Sequence, residues 1–547
     1  MGAQLLLDAA CAHASAQRWL PVAEEIEDYL RHCYLPAWRG GYLAVVTGDA
    51  SAANLAWLRA RHGRAIQIEL QSWRTVFAAI ERQFREVLAH RALSELAERE
   101  PEFSAFTTMT RAQAMAFLVL GCAVLLGLVL VPRLASIAVS AALATLFAAN
   151  AVFRAFLLWI GEDFAEGAPP VAPVPDEDLP IYSVLVPLYR EANVMPALIR
   201  AMQALDYPSD RLDLILIVEA DDFATLHAAN SALGDSRFSI IRVPEGSPRT
   251  KPRACNYALP FARGDFTVIY DAEDRPEPDQ LRKAVAQFRA LPEEVACLQA
   301  RLNYFNVQDN WLTKAGTLDF SLWFDYLLPG LDRLAIPMPL GGTSNHFRTA
   351  ALRTIHGWDP YNVTEDADLG IRLARVGLRV RTLDSTTFEE AANTLGNWTR
   401  QRSRWLKGYM QTWLVHMRSP RQLLRNAGPG GFIGFQLFVG GTFVSALLNP
   451  VLWIVLLASW LSESPHAIVA GDVSFAGLLA GNGLYSYLAM LAPCRRGWLE
   501  LAPHGLSAPL YWLLISFAGM RALWQLFTQP WRWEKTHHGL SKTVQVL

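Results

Sequence analysis

Asp271, Glu273 and Asp274 set three carboxylates within four residues, directly after the apolar stretch Phe266–Tyr270 and before Pro276. Carboxylates this close repel one another unless a cation sits between them. Such oxygen ligands suit Mg2+ or Mn2+, ions that share their shell with substrate phosphates; the alternative is a solvated acidic turn. Glu219, Asp221 and Asp222 end a second apolar stretch, Leu212–Val218. Ligands of open α/β sheets bind at such strand ends, where an acid either hydrogen-bonds a base or ribose or caps the next helix. Thr364, Glu365 and Asp366 follow Gly357-Trp358 and precede the helix-like Ala367–Ala374. Asp366 there is a general base beside a hydroxyl or an N-cap. Gln401, Arg404 and Trp405 combine a guanidinium suited to a diphosphate with an aromatic face suited to a sugar ring. A basic amphipathic helix facing a membrane gives the same pattern. Arg249, Lys251, Arg253 and Asn256 place cations and an amide ahead of Asp271. Gly341, Gly342, Thr343, Ser344 and Asn345 form a small-residue loop that permits close backbone approach. It is no Walker A loop, for the GxxxxGK[ST] pattern is absent.

These clusters fall in a block of soluble composition, residues 162–425, opened by the Pro-rich linker Ala168–Pro180. Strand-like Ser183–Pro187, Leu212–Val218 and Phe266–Tyr270 alternate with helix-like segments such as Ala192–Leu205, which predicts a parallel α/β sheet. Ahead of the block, Ala114–Val131 and Leu134–Phe153 are uncharged runs of 18 and 20 residues, each long enough to cross a bilayer. We expect two transmembrane helices over 112–160 and three or four more over 431–528, drawn from Gly431–Leu461, Ser474–Leu491 and Leu506–Phe527. Gly440-Gly441 and Asn449-Pro450 are the break points that could divide the first of these. An even count returns the tail, 529–547, to the cytosol with Arg532, Lys535 and Lys542 and leaves Arg495 and Arg496 outside. An odd count reverses both groups, and the positive-inside rule favours the even count by three charges to two. Residues 1–108 read as a helix followed by βαβα, with strands at Tyr42–Val46 and Ala65–Leu70 and helices at Asn54–His62 and Thr75–Arg99. This block shows no catalytic constellation and is expected to be a small cytosolic regulatory or docking domain.

Composition supports the membrane reading. Of 547 residues, 52% are apolar and 18% charged, against about 25% charged in a soluble domain. That much apolar surface excludes disorder as the main state. A net charge of −2 excludes nucleic-acid binding by global charge. The six cysteines are scattered without a CxxC pair, so neither a disulfide framework nor a zinc site is expected. The first 20 residues lack a basic n-region and carry Asp8, which predicts no signal peptide and a cytosolic N-terminus.

Taken in order, an acid, a metal triad, a TED and a QxxRW between apolar segments resemble the membrane-embedded family 2 glycosyltransferases, such as bacterial cellulose synthase. The resemblance runs from about Tyr182 to Trp413. Within that family, Val186–Glu191, Thr250–Ala258, Tyr270–Pro278 and Gly341–Phe347 are similar to bacterial adhesin and extracellular β-glucan synthases and to phage-adsorption inner-membrane proteins. Leu35-Pro36, Tyr42–Asp49 and Ala78–Arg82 resemble the N-terminal domain of type II secretion ATPases. Relatives of that domain bind cyclic di-GMP, usually through an Arg-x-x-Gly-x-x-Leu repeat that this chain lacks.

The resemblance implies a cytosolic GT-A domain over 162–425, inserted between transmembrane helices of a bacterial inner membrane. It implies a processive, inverting β-glycosyltransferase that extends a polysaccharide from a UDP-sugar, UDP-glucose first, and passes the polymer across the bilayer. It assigns Asp221 to the uridine, Lys251 and Arg404 to the donor, and Asp271 to the diphosphate and the metal. Where the family has DxD, this chain has Asp-Ala-Glu, so Glu273 and Asp274 are both candidates for the second metal ligand. Asp366 is the implied base and Gln401 part of the diphosphate motif. Trp405, Gly342, Thr343 and Glu365 are the implied acceptor residues. Further implied partners are cyclic di-GMP and a periplasmic or outer-membrane export component. A transferase that adds one sugar to a lipid, and a scaffold without catalysis, are the alternatives.

Overall fold

The computed structural model describes residues 21–39, 42–63, 66–162, 172–462 and 464–541. Ala65, the start of the Ala168–Pro180 linker, and Lys542 lie outside this set. The chain divides into two compact units, one of residues 1–94 with 256–261, the other of 95–255 with 262–547.

In the first unit, strand Tyr34–Arg39 pairs antiparallel with Tyr42–Thr47, which pairs in parallel with Gln67–Leu70. Helices Ala52–His62 and Trp73–Arg99 complete it, the former capped by Ser51, whose Oγ accepts from Asn54 N at 3.3 Å. The strand Tyr34–Arg39 is one that the sequence reading missed. It contains Pro36 and lies at the sheet edge, the position where a proline costs no ladder hydrogen bond.

The second unit is built on an eight-stranded sheet. Its strands are β1 (Tyr182–Leu188), β2 (Leu212–Glu219), β3 (Phe238–Val243), β4 (Phe266–Ile269), β5 (Arg275–Pro276), β6 (Val295–Tyr304), β7 (Asn345–Arg348) and β8 (Arg379–Glu389). The order is β3-β2-β1-β4-β7-β6-β8-β5. β1, β2, β3 and β4 are parallel, and β1, β2 and β4 are buried almost throughout, as suits strands covered on both faces. β7 is antiparallel to both β4 and β6, so the sheet is mixed and the expected all-parallel sheet is corrected. The cause is the Gly341–Asn345 segment: read as a loop, it turns back into a short strand inserted between β4 and β6. Met195–Gln203 and Glu365–Arg375 fall where helices are expected.

Among the described residues five helices are long and apolar enough to cross a membrane: Arg111–Leu130, Pro132–Glu162, Pro420–Trp460, Pro465–Arg496 and Leu499–Thr528. We label the regular helices α1 (Arg111–Leu130), α2 (Pro132–Glu162), α3 (Trp311–Leu322), α4 (Glu365–Arg375), α5 (Leu395–His416), α6 (Gly441–Trp460), α7 (Pro465–Leu491) and α8 (Ala508–Thr528). α1 buries none of its residues although it is apolar on every side, as a lipid-facing helix would be. α2 and α7 meet through small residues: a Cβ on Gly477 would stand 2.6 Å from Ala144, and one on Gly481 2.2 Å from Phe147. Neither predicted break divides the third apolar segment. Gly440 ends a π-helical turn, Gln436–Gly440, and α6 continues through Pro450.

α5 and α8 run side by side. Trp398 packs its ring 5.4 Å from Tyr511, Leu406 lies beside Gly519, and Lys407 Nζ donates to Gln529 O at 3.0 Å. α5 itself lies on the sheet unit: Gln411 Nε2 donates to Tyr361 O, and His416 meets Asp368 at 3.1 Å. Arg495 and Arg496 reach Asp325, while the tail beyond Thr528 returns to β8 and the β1 end.

Candidate active site

The strands end where the acids begin. Asp271 and Glu273 leave β4, Lys251 opens a short helix, Glu365 and Asp366 open α4, and Gln401, Arg404 and Trp405 lie on α5. All eight, with Gly342, line one cavity. Its remaining walls include Trp323, Phe320, Trp512, Ile515 and Thr442, so it extends from the sheet edge toward the apolar helices.

α4 starts with Glu365, Asp366 and Asp368 in its first turn and ends with Arg372 and Arg375, the charge order its dipole favours. Arg372, wholly buried, donates to Ile355 O and Gly357 O at 2.9 and 2.7 Å, tying the Gly357-Trp358 segment to the helix. α5 reaches α4 because residue 408 is glycine: a Cβ there would lie 2.0 Å from Thr364 Oγ1. On the opposite wall a Cβ on Gly342 would stand 3.3 Å from Asp366 Oδ2, so the Gly-Gly loop brings bare backbone to that carboxylate. Ser344 holds a positive φ of 55° in this loop, a conformation rare outside glycine.

Asp366 Oδ1 is buried without a hydrogen-bond partner. Burial raises the Asp366 pKa, while the Ala367 backbone N–H, Lys251 and Arg404 oppose the shift. Glu365 is pushed up to about 8, first by burial and then by Asp366. Of the two neighbours, Glu365 holds a proton at neutral pH. Lys251 Nζ donates to Asp271 Oδ1 and, at 2.6 Å, to Gly342 O. Arg404 Nη1 donates to Val363 O at 3.2 Å and its Cζ lies 4.4 Å over the Trp533 ring.

The two candidates for the second metal ligand part company. Glu273 lines the cavity with Asp271. Asp274 is turned into the protein, where its Oδ2 accepts from Asp271 N at 2.8 Å and from Thr343 Oγ1. Burial and then Asp271 push Asp274 up to about 8. Thr343 is buried, bonded also to Ile269 O at 3.1 Å, and does not line the cavity. Among the described residues no three His, Cys, Asp or Glu side chains form a closed metal cage. The donor set that fits a hard divalent cation is Asp271 with Glu273. Burial first, then Asp271, Asp274, Glu191 and Glu389, raises Glu273 well above the usual carboxylate range, a concentration of negative charge that such a cation relieves.

The pair Asp221 and Asp222 also separates. Asp222 caps the helix Phe223–Ala229, accepting from Thr225 N at 3.2 Å, and takes the Arg190 N–H as well. Asp221 stays exposed and pairs with Arg249 at 2.9 Å. Arg249 lines a second cavity, continuous through Lys251, Asp271, Glu273 and Arg404 with the first, but Asp221 lines neither.

The C-terminal tail supplies residues that the sequence reading passed over. Trp533, Thr536 and His538 line both cavities, and Lys535 pairs with Glu191 at 2.7 Å. His538 meets Glu273 at 3.0 Å. Glu390 fastens the tail by accepting from three successive backbone N–H groups, Gly539, Leu540 and Ser541. Alternating aromatic and charged residues after the last apolar helix were the only signal. Asp319, paired with Arg402 at 3.0 Å, and Arg154 were missed too, since neither belongs to a cluster in sequence.

Residues 266–492 match the family described as glycosyl transferase family group 2. The chain is 27% identical over 248 residues to a probable glycosyltransferase, YdaM, of Bacillus subtilis, covering 42% of this chain and 56% of that protein. It is 28% identical over 241 residues to a beta-monoglucosyldiacylglycerol synthase of Trichormus variabilis, covering 43% and 50%. The chain thus spans about half the length of the curated relatives it matches. A mannosyltransferase of Pyrobaculum calidifontis, solved with GDP-Man and Mn2+, is similar at 20% identity and a TM-score of 0.47, over 68% of this chain and 99% of that one. The family match thus runs from β4 to the end of α7 and leaves β1, β2 and β3 outside it.

Proposed function

We propose that this chain transfers a glycosyl group, with inversion, from a nucleoside-diphosphate sugar to a hydroxyl of an acceptor held at a membrane surface. The observation that carries the reading is Asp366: a buried carboxylate oxygen without a partner, on a cavity shared with two acids fit for a cation and two cations fit for a diphosphate. Asp366 takes the acceptor hydroxyl proton as that oxygen bonds to the anomeric carbon. The bond from that carbon to the donor phosphate breaks, and its electron pair leaves with the diphosphate. Lys251 and Arg404 offset the charge that develops there. Asp271 and Glu273 would hold Mg2+ or Mn2+, which supplies further positive charge to the diphosphate. Asp221 with Arg249 is the nucleoside end, and Trp405, beside Gln401, is the sugar-stacking face of the acceptor end.

In its full form the reading is a processive β-glycosyltransferase that uses UDP-glucose and passes its polymer between the helices. Supporting it are the continuation of the cavity into the helical region and the aromatic residues along it. We further propose that α1, α2, α6 and α7 cross the bilayer while α8 lies along its cytosolic face. Both ends of α8 contact residues of the sheet unit or of α5, which a crossing helix of about 31 Å could not do. The test is product length: incubation with radiolabelled UDP-glucose and Mg2+ should give a polymer ladder, whereas a single lipid-soluble product would replace polymerisation by one-step glycolipid synthesis.

A further inference from the structure

Arg154 is the one charged residue within the apolar run of α2. It lies eight residues before the end of the helix at Glu162, roughly 12 Å along the axis. Although 97% buried by its 3% exposure, it has no carboxylate within ion-pair distance among the described residues. Nε donates to Asn150 Oδ1 at 3.1 Å and Nη2 to Thr442 Oγ1 at 2.8 Å. The rings of Trp323 and Phe438 each stand 5.7 Å from its Cζ. Two neutral oxygens and two aromatic faces orient the guanidinium without neutralising it, and among the described residues Nη1 has no hydrogen-bond partner. Of the other cations lining the cavity, Arg402 has Asp319 at 3.0 Å and Lys251 has Asp271, while Arg404 has no close ion pair among the described residues but stands in the field of Glu365, Asp366 and Asp271.

A buried charge inside an apolar helix is costly unless paired. This one lines the cavity that holds Asp366, beside Thr442 of α6. A neutral sugar would hydrogen-bond Nη1 but leave the charge unmet. We infer that Arg154 is an anion-recognition residue of the acceptor site: the acceptor carries an acidic group, a phosphate or a carboxylate, that meets Nη1 while its hydroxyl stands at Asp366. This rests on the glycosyl-transfer reading alone, not on its UDP-glucose polymer form, whose growing end is neutral, and it adds the acceptor's charge. Two sources supply that chemistry, a lipid phosphate and an acidic saccharide.

The test uses the full chain in neutral detergent. Thermal unfolding is followed against dioctanoyl phosphatidic acid and its twin dioctanoylglycerol, and against a cello-oligosaccharide and its twin bearing a terminal uronate. For at least one pair the acidic member should raise Tm, half-saturating at a concentration roughly tenfold below its neutral twin, the usual weight of one charged hydrogen bond. Arg154→Gln should abolish the difference and Arg154→Lys retain it. A difference in the first pair alone assigns a lipid phosphate, in the second alone an acidic saccharide. Equal behaviour of the twins in the wild-type chain overturns the inference whether or not the Gln variant folds, as does a difference that survives Arg154→Gln. UDP release without added acceptor is read on the same sample. Its absence with every nucleotide sugar counts against the transferase reading alone, because the Tm comparison needs no turnover.

Discussion

Asp366 differs from its neighbour Glu365 in what its environment does to it. Both are raised by burial; Glu365 reaches about 8 with Asp366 adding to the rise, while the Ala367 N–H leads the groups that hold Asp366 down. Asp366→Asn should therefore lower turnover by about 10²–10⁴-fold, the usual weight of a general base. Glu365→Gln, which fixes the protonated form, should leave turnover at pH 7 largely intact. Because the Asp366 pKa is raised, its basic form is lost as pH falls through a value above that of an ordinary carboxylate. The acid limb of kcat against pH should sit correspondingly high and should disappear with Asp366→Asn. Asp274 and Asp271 make a second contrast. Asp274→Asn disturbs the Thr343 hydroxyl and Asp271 N–H contacts and should act through stability, by about 1–3 kcal/mol in thermal unfolding. Asp271→Asn should instead raise the Mg2+ or Mn2+ concentration needed for half-maximal rate.

At the scale of elements, the site depends on α5 lying flat against the start of α4. Gly408 allows it, and Gly408→Ala should cost about 1–3 kcal/mol as the added methyl meets Thr364. The loss would appear as a lowered Tm together with a lowered kcat, since Arg404 and Asp366 are displaced from each other. Much of this arrangement was legible in the chain. Acids at strand ends and the Gly-Gly loop declare themselves because their chemistry is local: a strand end needs a polar residue, a close approach needs glycine. What the sequence withheld is non-local. Nothing near Asp222 says that it caps a helix while Asp221 pairs with Arg249, nor that Thr343 turns inward to Asp274; those outcomes depend on which groups the fold brings near. Tyr34–Arg39 was hidden by Pro36, whose penalty vanishes only at an edge. Trp533 and His538 lie more than 120 residues beyond Arg404 and Trp405, with α8 between, so no spacing ties them to the cavity.

For the molecule as a whole, hydropathy alone marks five membrane-length helices, and contacts decide how they lie. α8 reads as a span by composition, yet it packs along α5 and delivers the tail back to the sheet unit. Cys494, exposed between α7 and α8, should then react with a membrane-impermeant maleimide in inside-out vesicles and remain unmodified in right-side-out ones. Reaction with a cysteine introduced at Leu540 should follow the same side, whereas opposite sides for the two positions would make α8 a span. The central claim, that this cavity performs glycosyl transfer with Asp366 as base, is tested most directly by UDP release from detergent-purified full-length protein with Mg2+ or Mn2+. A panel of UDP-sugars is supplied and Asp366→Asn is run alongside. The account predicts metal-dependent release with one sugar, UDP-glucose first, and none from the variant. Release at the wild-type rate from Asp366→Asn would contradict it.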